Sequence, residues 1–266
     1  MKPRRLIGRA PRWPLSIEAA YRRDLNDLVA ALDRAARAEV QARGRALLEA
    51  AAIRQDADGE GWARLLEEIL LRIALSITAK LLDTDRLVSV RARQADEFNK
   101  RDFKAAIRSA YGVDVVRGNE AWLPDTMAAW EAENRALIKS IPVNYTNRLQ
   151  GEFVRAVTEG RGLRDLTRIV REATGANQKR AALVARDQLG KLTAQLNERR
   201  QRDLGVRSFI WATVGDERVR PTHRARNGKE FRYDRPGPRP GAEVRCRCAA
   251  KPILPGLTAA EVRDLG

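Results

Sequence analysis

Apolar residues recur at helical spacing along the first part of the chain. In the first such segment they fall at i, i+3, i+7 and i+11, which places them on one face of a helix. The members of this stripe are Leu25, Leu28, Leu32 and Ala36. We therefore predict a helix over residues 17 to about 54. Ser16 is its predicted N-cap, because a serine oxygen can accept a hydrogen bond from the first turn.

The same spacing predicts further helices in the N-terminal half, at about residues 62–82, 84–110 and 125–138. Residues 56–61 separate the helix over residues 17–54 from the one over residues 62–82. Residues 111–123 contain two glycines and a short apolar run at 113–116, and predict a loop or a short strand. Pro142 is expected to end the last helix, because a proline disfavours helical geometry at the residue before it.

Helical spacing continues beyond Val143 and changes character after Gly205. We predict helices over residues 144–158, 162–173 and 177–203, the second ending at Thr174 and Gly175 because glycine suits a helix C-terminus. Residues 206–214 alternate between apolar and polar, which predicts a strand. Turn residues and short extended pieces follow.

These elements predict a mainly α fold with two folded regions. A helical domain over residues 16–142 is followed, over residues 143–266, by a compact α+β module with short strands and loops rich in proline and glycine. Residues 1–15 are predicted to form an extended basic arm, since Pro3, Pro11 and Pro14 exclude a continuous helix there. Hydrophobic residues make up 44% of the chain, which is enough to form a core.

The charge balance points to a polyanionic partner. Lys and Arg number 51 against 35 Asp and Glu, a formal net charge of +16. Nucleic acid is the first candidate for such a partner. A basic surface that maintains solubility, or that meets an acidic protein, is the alternative interpretation.

Targeting and compartment signals are sparse. No apolar run approaches the roughly 20 residues that a membrane helix needs, so no membrane association is expected. The first residues have no continuous hydrophobic segment of the kind found in secretory signals. Two cysteines separated by one residue do not form a secretory disulfide framework, which favours a reducing cytoplasm.

Residues 211–254 hold the least common residue types of the chain. The single histidine, His223, and both cysteines, Cys246 and Cys248, lie there. Together with Asp216 they offer an imidazole, two thiolates and a carboxylate, a set that zinc accepts at tetrahedral positions. If the two cysteines lie in a strand, they project from the same side of it.

Two other interpretations of these residues remain open. The cysteines are small enough to be core residues, with His223 bonded to a turn. A Cys-His dyad would give an enzyme, but the chain has no recognisable nucleophile motif such as G-x-S-x-G and no Walker A loop. An HNH-type nuclease would need more than one histidine. We therefore expect no catalytic activity and no catalytic residues, and either no cofactor or a zinc ion.

Arginines surround this constellation and extend into the N-terminal arm. Asp216 and Arg220 are expected to have a structural role, while arginines of the proline-rich loop are expected to contact DNA or a protein partner through phosphate or carboxylate groups. The predicted contact residues are Arg4, Arg5, Arg9, Arg12, Arg224, Arg226, Arg232, Arg235, Arg239, Arg245 and Arg247.

The order of motifs from about residue 143 to residue 254 resembles the phage head morphogenesis family, the minor head proteins typified by the F protein of Mu-like phages. The sequence A-L-V-A-R at 182–186 precedes Leu204-Gly205 and a tryptophan strand, then D-x-x-V-R-x-x-H and C-R-C. The motif residues are Trp211, Asp216, Arg218, Arg220, His223, Gly228 and Lys229. Asp187-Gln188 stand where members of the family commonly have Thr-Glu, and Val244-Arg245 where many have a histidine or an asparagine.

The resemblance implies a structural or assembly role in the virion of a tailed bacteriophage. Such proteins associate with the portal vertex or the inner capsid, after assembly in the host cytoplasm. The implied partners are the portal protein, the major capsid or scaffolding protein and packaged double-stranded DNA. The alternative from another functional class is a cytoplasmic nucleic-acid-binding protein with a small zinc-stabilised module.

Overall fold

The computed structural model describes residues 6–52, 60–113, 120–258 and 260–261. Within these residues the chain forms seven helices and four short strands, which confirms the predicted mainly α fold with a small α+β C-terminal part. In chain order they are β1 (Leu6–Ile7), α1 (Leu15–Ala52), α2 (Glu60–Leu75), α3 (Thr78–Leu82), α4 (Thr84–Tyr111), α5 (Leu123–Thr158), α6 (Leu163–Asp203), β2 (Ser208–Ala212), α7 (Pro221–Arg226), β3 (Glu230–Arg232) and β4 (Ala249–Leu254).

The chain divides into two compact units, each made of several segments. The helical unit comprises described residues of 20–88 and 133–185, and the sheet unit comprises those of 1–19, 89–132 and 186–266. The division into an arm and two consecutive domains, at residues 1–15, 16–142 and 143–266, stays a prediction. No helix among the described residues is both long enough and apolar enough to cross a membrane.

The helical unit is held by an aliphatic core with a few buried polar contacts. The predicted stripe Leu25, Leu28, Leu32 and Ala36 is buried. The Tyr21 hydroxyl donates to Asn134 Oδ1 at 2.7 Å, and Thr174 donates to Asp33 Oδ1 at 2.8 Å. These hydrogen bonds satisfy polar groups that would otherwise destabilise a dry interior.

Helix α1 starts one residue before the predicted N-cap. Leu15 is already helical, and the carbonyl of Pro14 accepts the hydrogen bond from the Glu18 amide at 2.9 Å. Ser16 therefore lies inside the first turn, and its prediction as N-cap was wrong. The predicted end near residue 54 lies outside the described residues, as does most of the 56–61 separator.

The helix predicted over residues 62–82 is interrupted, while its neighbour is confirmed. It consists of α2 and the short α3, with a turn at Ser76 and Ile77 between them. The Ser76 hydroxyl donates to the Ile73 carbonyl at 2.6 Å, a local bond that competes with the helix ladder. The predicted helix 84–110 matches α4. The apolar run 113–116 lies mostly outside the described residues.

Two predicted helix breaks are absent from the structure. Pro142 lies inside the continuous helix α5. A proline in a helix interior costs about 3 kcal/mol. A fully buried apolar stripe runs along α5 on both sides of Pro142, and burial of each of its side chains contributes about 1.5–3 kcal/mol. Together these contributions exceed the cost of the proline. The stripe consists of Ile138, Ile141, Tyr145, Leu149 and Phe153.

The second missing break is at Thr174 and Gly175, which lie inside α6. A glycine in a helix interior costs only about 1 kcal/mol. Val170, Ala173 and Ala181 are fully buried around it. Thr174 is nearly buried and donates to the Val170 carbonyl at 2.9 Å, which keeps its hydroxyl within the helix. The burial of this face therefore favours one long helix over two short ones.

The sheet unit contains an antiparallel sheet with strand order β1-β4-β2-β3. Strand β2 confirms the strand predicted at 206–214, and it pairs with β4 from Ser208↔Ile253 to Ala212↔Ala249. Its buried positions alternate, so that Phe209 and Trp211 face a core shared with Phe103, Tyr233 and other apolar residues. This alternation places Trp211 on the same side as the residues of the candidate site.

Candidate metal centre and basic surface

His223 lies on the short helix α7, which begins at Pro221. A proline suits this first helical position because it has no amide hydrogen to leave unbonded. His223 is buried. Its ring meets the Trp211 indole edge-on, with 5.3 Å between the ring centroids. The packing against Trp211 fixes the direction in which the two ring nitrogens point.

Both cysteines converge on one nitrogen of this ring. The Cys246 Sγ lies 3.6 Å from His223 Nδ1, and the Cys248 Sγ lies 3.4 Å from the same atom. The two thiols are not joined in a disulfide. The cysteines lie just before β4 rather than within a strand, so the side-by-side arrangement that a strand would give comes here from an irregular segment. The three ligand atoms lie within 4.8 Å of one another.

A tight turn before Cys246 brings the cysteines into place. Arg245 has a φ of 59°, in the left-handed region that costs a non-glycine residue about 1 kcal/mol or more. Its backbone N–H donates to Asp187 Oδ1 at 2.8 Å, which holds the strained residue. Asp187 and Arg245 both belong to pairs that depart from the family pattern, and no sequence signal predicts their contact.

Gly241 is required by close packing in the same loop. Its φ is +85°, and an added Cβ would lie 2.4 Å from the Ala194 Cβ on α6. Its N–H donates to the Cys246 Sγ at 3.3 Å. A residue with a side chain at this position would therefore displace the loop and the cysteine that it contacts.

The other side of the imidazole faces a carboxylate. His223 Nε2 lies 3.0 Å from Glu243 Oε1, at ion-pair distance but without the geometry of a directed hydrogen bond. Arg220 and Arg226 also pair with Glu243, at 3.3 and 3.5 Å. The contact with His223, and then the two arginines, hold the pKa of Glu243 below its usual value. Sequence reasoning did not select Glu243, because an acidic residue among many arginines suggests a surface ion pair.

The two thiols differ in acidity. The hydrogen bond from Cys248 lowers the pKa of Cys246, and the Gly241 amide acts in the same direction. The bond to Cys246, together with burial, raises the pKa of Cys248. The Trp211 indole and Arg247 oppose that rise. Of the two thiols, Cys246 is therefore the one that deprotonates more readily.

Asp216, the fourth predicted ligand, is not part of this cluster. Its carboxylate accepts two hydrogen bonds from Arg247, at 2.5 and 2.6 Å. These bonds hold the pKa of Asp216 below its usual value of 3.8. The pair ties the loop after β2 to the residue between the two cysteines. The structure thus brings together His223, Cys246 and Cys248, and gives Asp216 a bracing position beside them.

The remaining motif residues shape the backbone around Trp211. Gly228 has a φ of +77° and donates to the Trp211 carbonyl at 2.8 Å, while the Lys229 carbonyl accepts the Trp211 amide at 2.9 Å. The Arg218 amide donates to Asp216 Oδ1 at 3.2 Å. The side chains of Arg218 and Lys229 are exposed, and Gly228 has none, so these contacts act through the main chain.

The arginines predicted to contact DNA or a partner divide into two groups. Arg226, Arg239 and Arg247 are half-buried and bonded within the unit. The exposed group consists of Arg224, Arg232, Arg235 and Arg245. Within it, Arg232 pairs with Asp234 at 2.5 Å. Contact with DNA stays a prediction for all of them.

The described part of the N-terminal arm packs within the sheet unit. Leu6 and Ile7 pair with β4, and the Arg9 guanidinium binds Asp102 at 2.6 Å. Trp13 packs so closely on Gly190 that an added Cβ there would lie 2.9 Å from the indole. The Arg12 side chain is 75% exposed. Arg4 and Arg5 lie outside the described residues.

A buried arginine elsewhere in the sheet unit was not predicted. Arg200 has no exposed surface, and it binds Glu120 at 2.9 Å and Asp96 at a shorter distance. It also donates to Asn99 Oδ1 at 2.5 Å. Burial opposes its charge, but the hydrogen bonds to Glu120 and Asp96 outweigh burial and raise its pKa. In the sequence Arg200 is one of several arginines in a predicted helix, and no sequence feature distinguishes it from its exposed neighbours.

Comparison with known proteins agrees with the C-terminal motif order. Residues 147–251 match the family described as Phage Mu protein F like protein. A Haemophilus influenzae protein described as an uncharacterized protein is 30% identical over 166 residues, which are 60% of this chain and 37% of that protein. The chain thus spans little more than a third of the length of this relative. No solved structure matches the chain. The resemblance to this family is thus confirmed over residues 147–251.

Proposed function

We propose that the chain is a structural minor head protein of a tailed bacteriophage, which takes part in head assembly at the portal vertex or the inner capsid surface. The observation that carries this proposal is the match to the Phage Mu protein F-like family over residues 147–251. That segment contains all of α6, the tryptophan strand β2, α7 and both cysteines. Its partners would be the portal protein and the major capsid or scaffolding protein.

Proximity to packaged double-stranded DNA is the second part of the proposal. A formal net charge of +16 favours a polyanionic surrounding. Arg224, Arg232, Arg235 and Arg245 supply exposed guanidinium groups on the sheet unit. Guanidinium contacts with phosphate would be independent of DNA sequence and weakened by salt.

The role proposed is not catalytic. His223 and Cys246 are buried, with 2% and 6% of their surfaces exposed. A substrate would therefore reach them only if the loop opened. Asp216 and Glu243, the carboxylates nearest in the motif, are engaged by Arg247 and by His223 with two arginines. This arrangement favours a role in holding the loop together.

Sedimentation of assembled heads tests the proposal. A tagged chain is produced in cells that make heads of the phage, and lysates are separated on a density gradient. We expect the chain in the head fractions at a fixed ratio to the portal protein, and its loss from heads that lack the portal. A chain that stays in the soluble fractions, bound to nucleic acid, would instead favour the cytoplasmic nucleic-acid-binding function.

The control is a variant with less positive surface and an intact fold. Replacing Arg224, Arg235 and Arg245 with alanine removes three exposed charges. If these residues only neutralise DNA, the variant enters heads normally and binds DNA with a weaker salt dependence. If head incorporation itself fails, the exposed arginines contact a protein of the shell.

A further inference from the structure

We propose that His223, Cys246 and Cys248 bind a zinc ion through His223 Nδ1 and the two sulfurs. Zinc bound to thiolate and imidazole has bond lengths of about 2.3 and 2.0–2.1 Å, so a tetrahedral site separates Sγ from N by about 3.5–3.6 Å. The observed separations from His223 Nδ1 are 3.6 Å for Cys246 and 3.4 Å for Cys248. The three side chains are thus spaced as three corners of a zinc tetrahedron.

Hydrogen bonding to the imidazole can satisfy only one of the two thiols that approach it. Nδ1 of a neutral imidazole has one lone pair, so it accepts from only one of the two thiols. The Trp211 indole N–H is also buried and faces the Cys248 sulfur, without the geometry of an ordinary hydrogen bond. A metal ion would bind both sulfurs and the nitrogen at once, and a metal-bound thiolate of Cys248 would accept from the indole.

The residues around the cluster suit metal-bound forms of the ligands. Glu243 lies 3.0 Å from His223 Nε2, and a carboxylate on the far nitrogen is the usual partner of a histidine that binds metal through the other. The Gly241 N–H contacts the Cys246 Sγ at 3.3 Å, which favours a thiolate. These contacts orient His223 and Cys246 toward the proposed position of the ion.

The described residues supply three ligands and leave one position for water or for a group from a partner. Asp216 does not take it, since Arg247 binds both of its oxygens. Cys248 and Arg247 line a cavity of about 350 Å³ within the sheet unit. This cavity gives a route by which metal or a chelator would reach the half-buried Cys248.

The ion would act as a clip across the loop from α7 to β4. This loop contains β3 and a run of glycine, proline and arginine residues with few apolar side chains. His223 stands at its start and the cysteines at its end. A bound ion would fix these ends together, so that metal binding and folding of the loop are coupled. The inference does not depend on the role in head assembly.

Metal binding by the full-length reduced chain is the direct test. The chain is purified with a reductant, its zinc content is measured by mass spectrometry, and the metal-free chain is titrated with Co²⁺ while the thiolate-to-cobalt absorption is recorded. We expect stoichiometric zinc and a saturable absorption band that zinc removes. A wild-type chain without stoichiometric zinc and without this band would overturn the proposal.

Three variants identify the ligands. Cys248→Ser is expected to lose the bound metal, and Glu243→Gln to bind it about 10–100-fold more weakly because only the orientation of His223 changes. Asp216→Asn is the matched control, since it alters the same loop and is expected to retain stoichiometric metal. Equal loss in Asp216→Asn and Cys248→Ser would overturn the three-ligand assignment. Should Cys248→Ser fail to fold, the cobalt titration of the wild-type chain decides.

Discussion

The helical unit and the sheet unit are stabilised by different kinds of buried contact. The helical unit buries aliphatic and aromatic stripes such as Leu149 and Phe153, and its buried polar groups are mainly neutral hydroxyl and amide groups. The sheet unit has short strands, irregular loops and charged groups inside, including the fully buried Arg200. One unit is stabilised chiefly by burial of apolar surface, and the other also by charged and sulfur-containing contacts.

This difference explains why the candidate metal-binding residues lie in the sheet unit. A helix satisfies its own backbone, so an apolar face is enough to place it. The segment 213–248 has little regular structure, and its backbone amides and carbonyls are satisfied by side chains such as Asn227, Asp187 and Arg220. Residues that hold such a loop are also residues that can bind an ion or a phosphate.

The largest effect is expected from removing the buried charge of the sheet unit. Arg200→Ala removes the buried guanidinium that binds Asp96 and Glu120, which costs about 3–5 kcal/mol of unfolding free energy. The exposed neighbour Arg199 provides the control, because Arg199→Ala should change stability within about 0.5 kcal/mol. Urea unfolding measures both. Equal costs for the two variants would show that the network adds no stability.

Truncating a core residue of the helical unit is expected to lower the unfolding free energy slightly less, and this loss involves no charged group. Leu149→Ala removes a fully buried side chain and leaves a cavity, at a cost of about 2–5 kcal/mol. Val143→Ala, at a position 55% exposed on the same helix, is its control. The cost should not change with salt concentration. A cost that depends strongly on salt would contradict an apolar basis for this unit.

The smallest effect is a pH dependence that belongs to the sheet unit. Arg247 holds the pKa of Asp216 below 3.8, its usual value, so the stabilisation is present above pH 3.8 and is lost as pH falls through the lower folded pKa. Asp216→Asn removes this contribution. Unfolding of the metal-free wild type and variant should therefore differ at neutral pH and converge in acid. A difference that grows in acid would contradict the assigned sign.

Helices were the part of the fold most open to prediction from sequence. The stripe in α1 and the bounds of α4 follow from apolar spacing, because burial of one face is both the signal and the stabilising force. The errors at Pro142 and Gly175 share one cause. Each rested on a local preference worth about 1–3 kcal/mol, which burial of a long face exceeds. Local signals mark possible ends of helices, and packing decides which of them are used.

The candidate site was predictable in its rare residues and not in its supporting contacts. His223, Cys246 and Cys248 stood out because the chain has one histidine and two cysteines. Asp216 fitted the ligand set equally well by type, yet Arg247 binds it instead. Glu243 and Asp187 belong to common residue types, and only the folded loop shows which carboxylate meets the imidazole and which meets the strained turn.

Strand β1 has a consequence for the timing of biosynthesis. Leu6 pairs with Leu254 and Ile7 with Ile253, so the two partners are nearly the whole described chain apart. At about 5–20 residues per second, roughly 12–50 s pass on the ribosome between the synthesis of the two strands. During that interval, while α1 to α7 are synthesised, β1 has no β4 with which to pair. The register of this sheet edge is thus set only after β4 has been synthesised, and a nascent chain stalled before residue 249 would carry Leu6 and Ile7 without their partners.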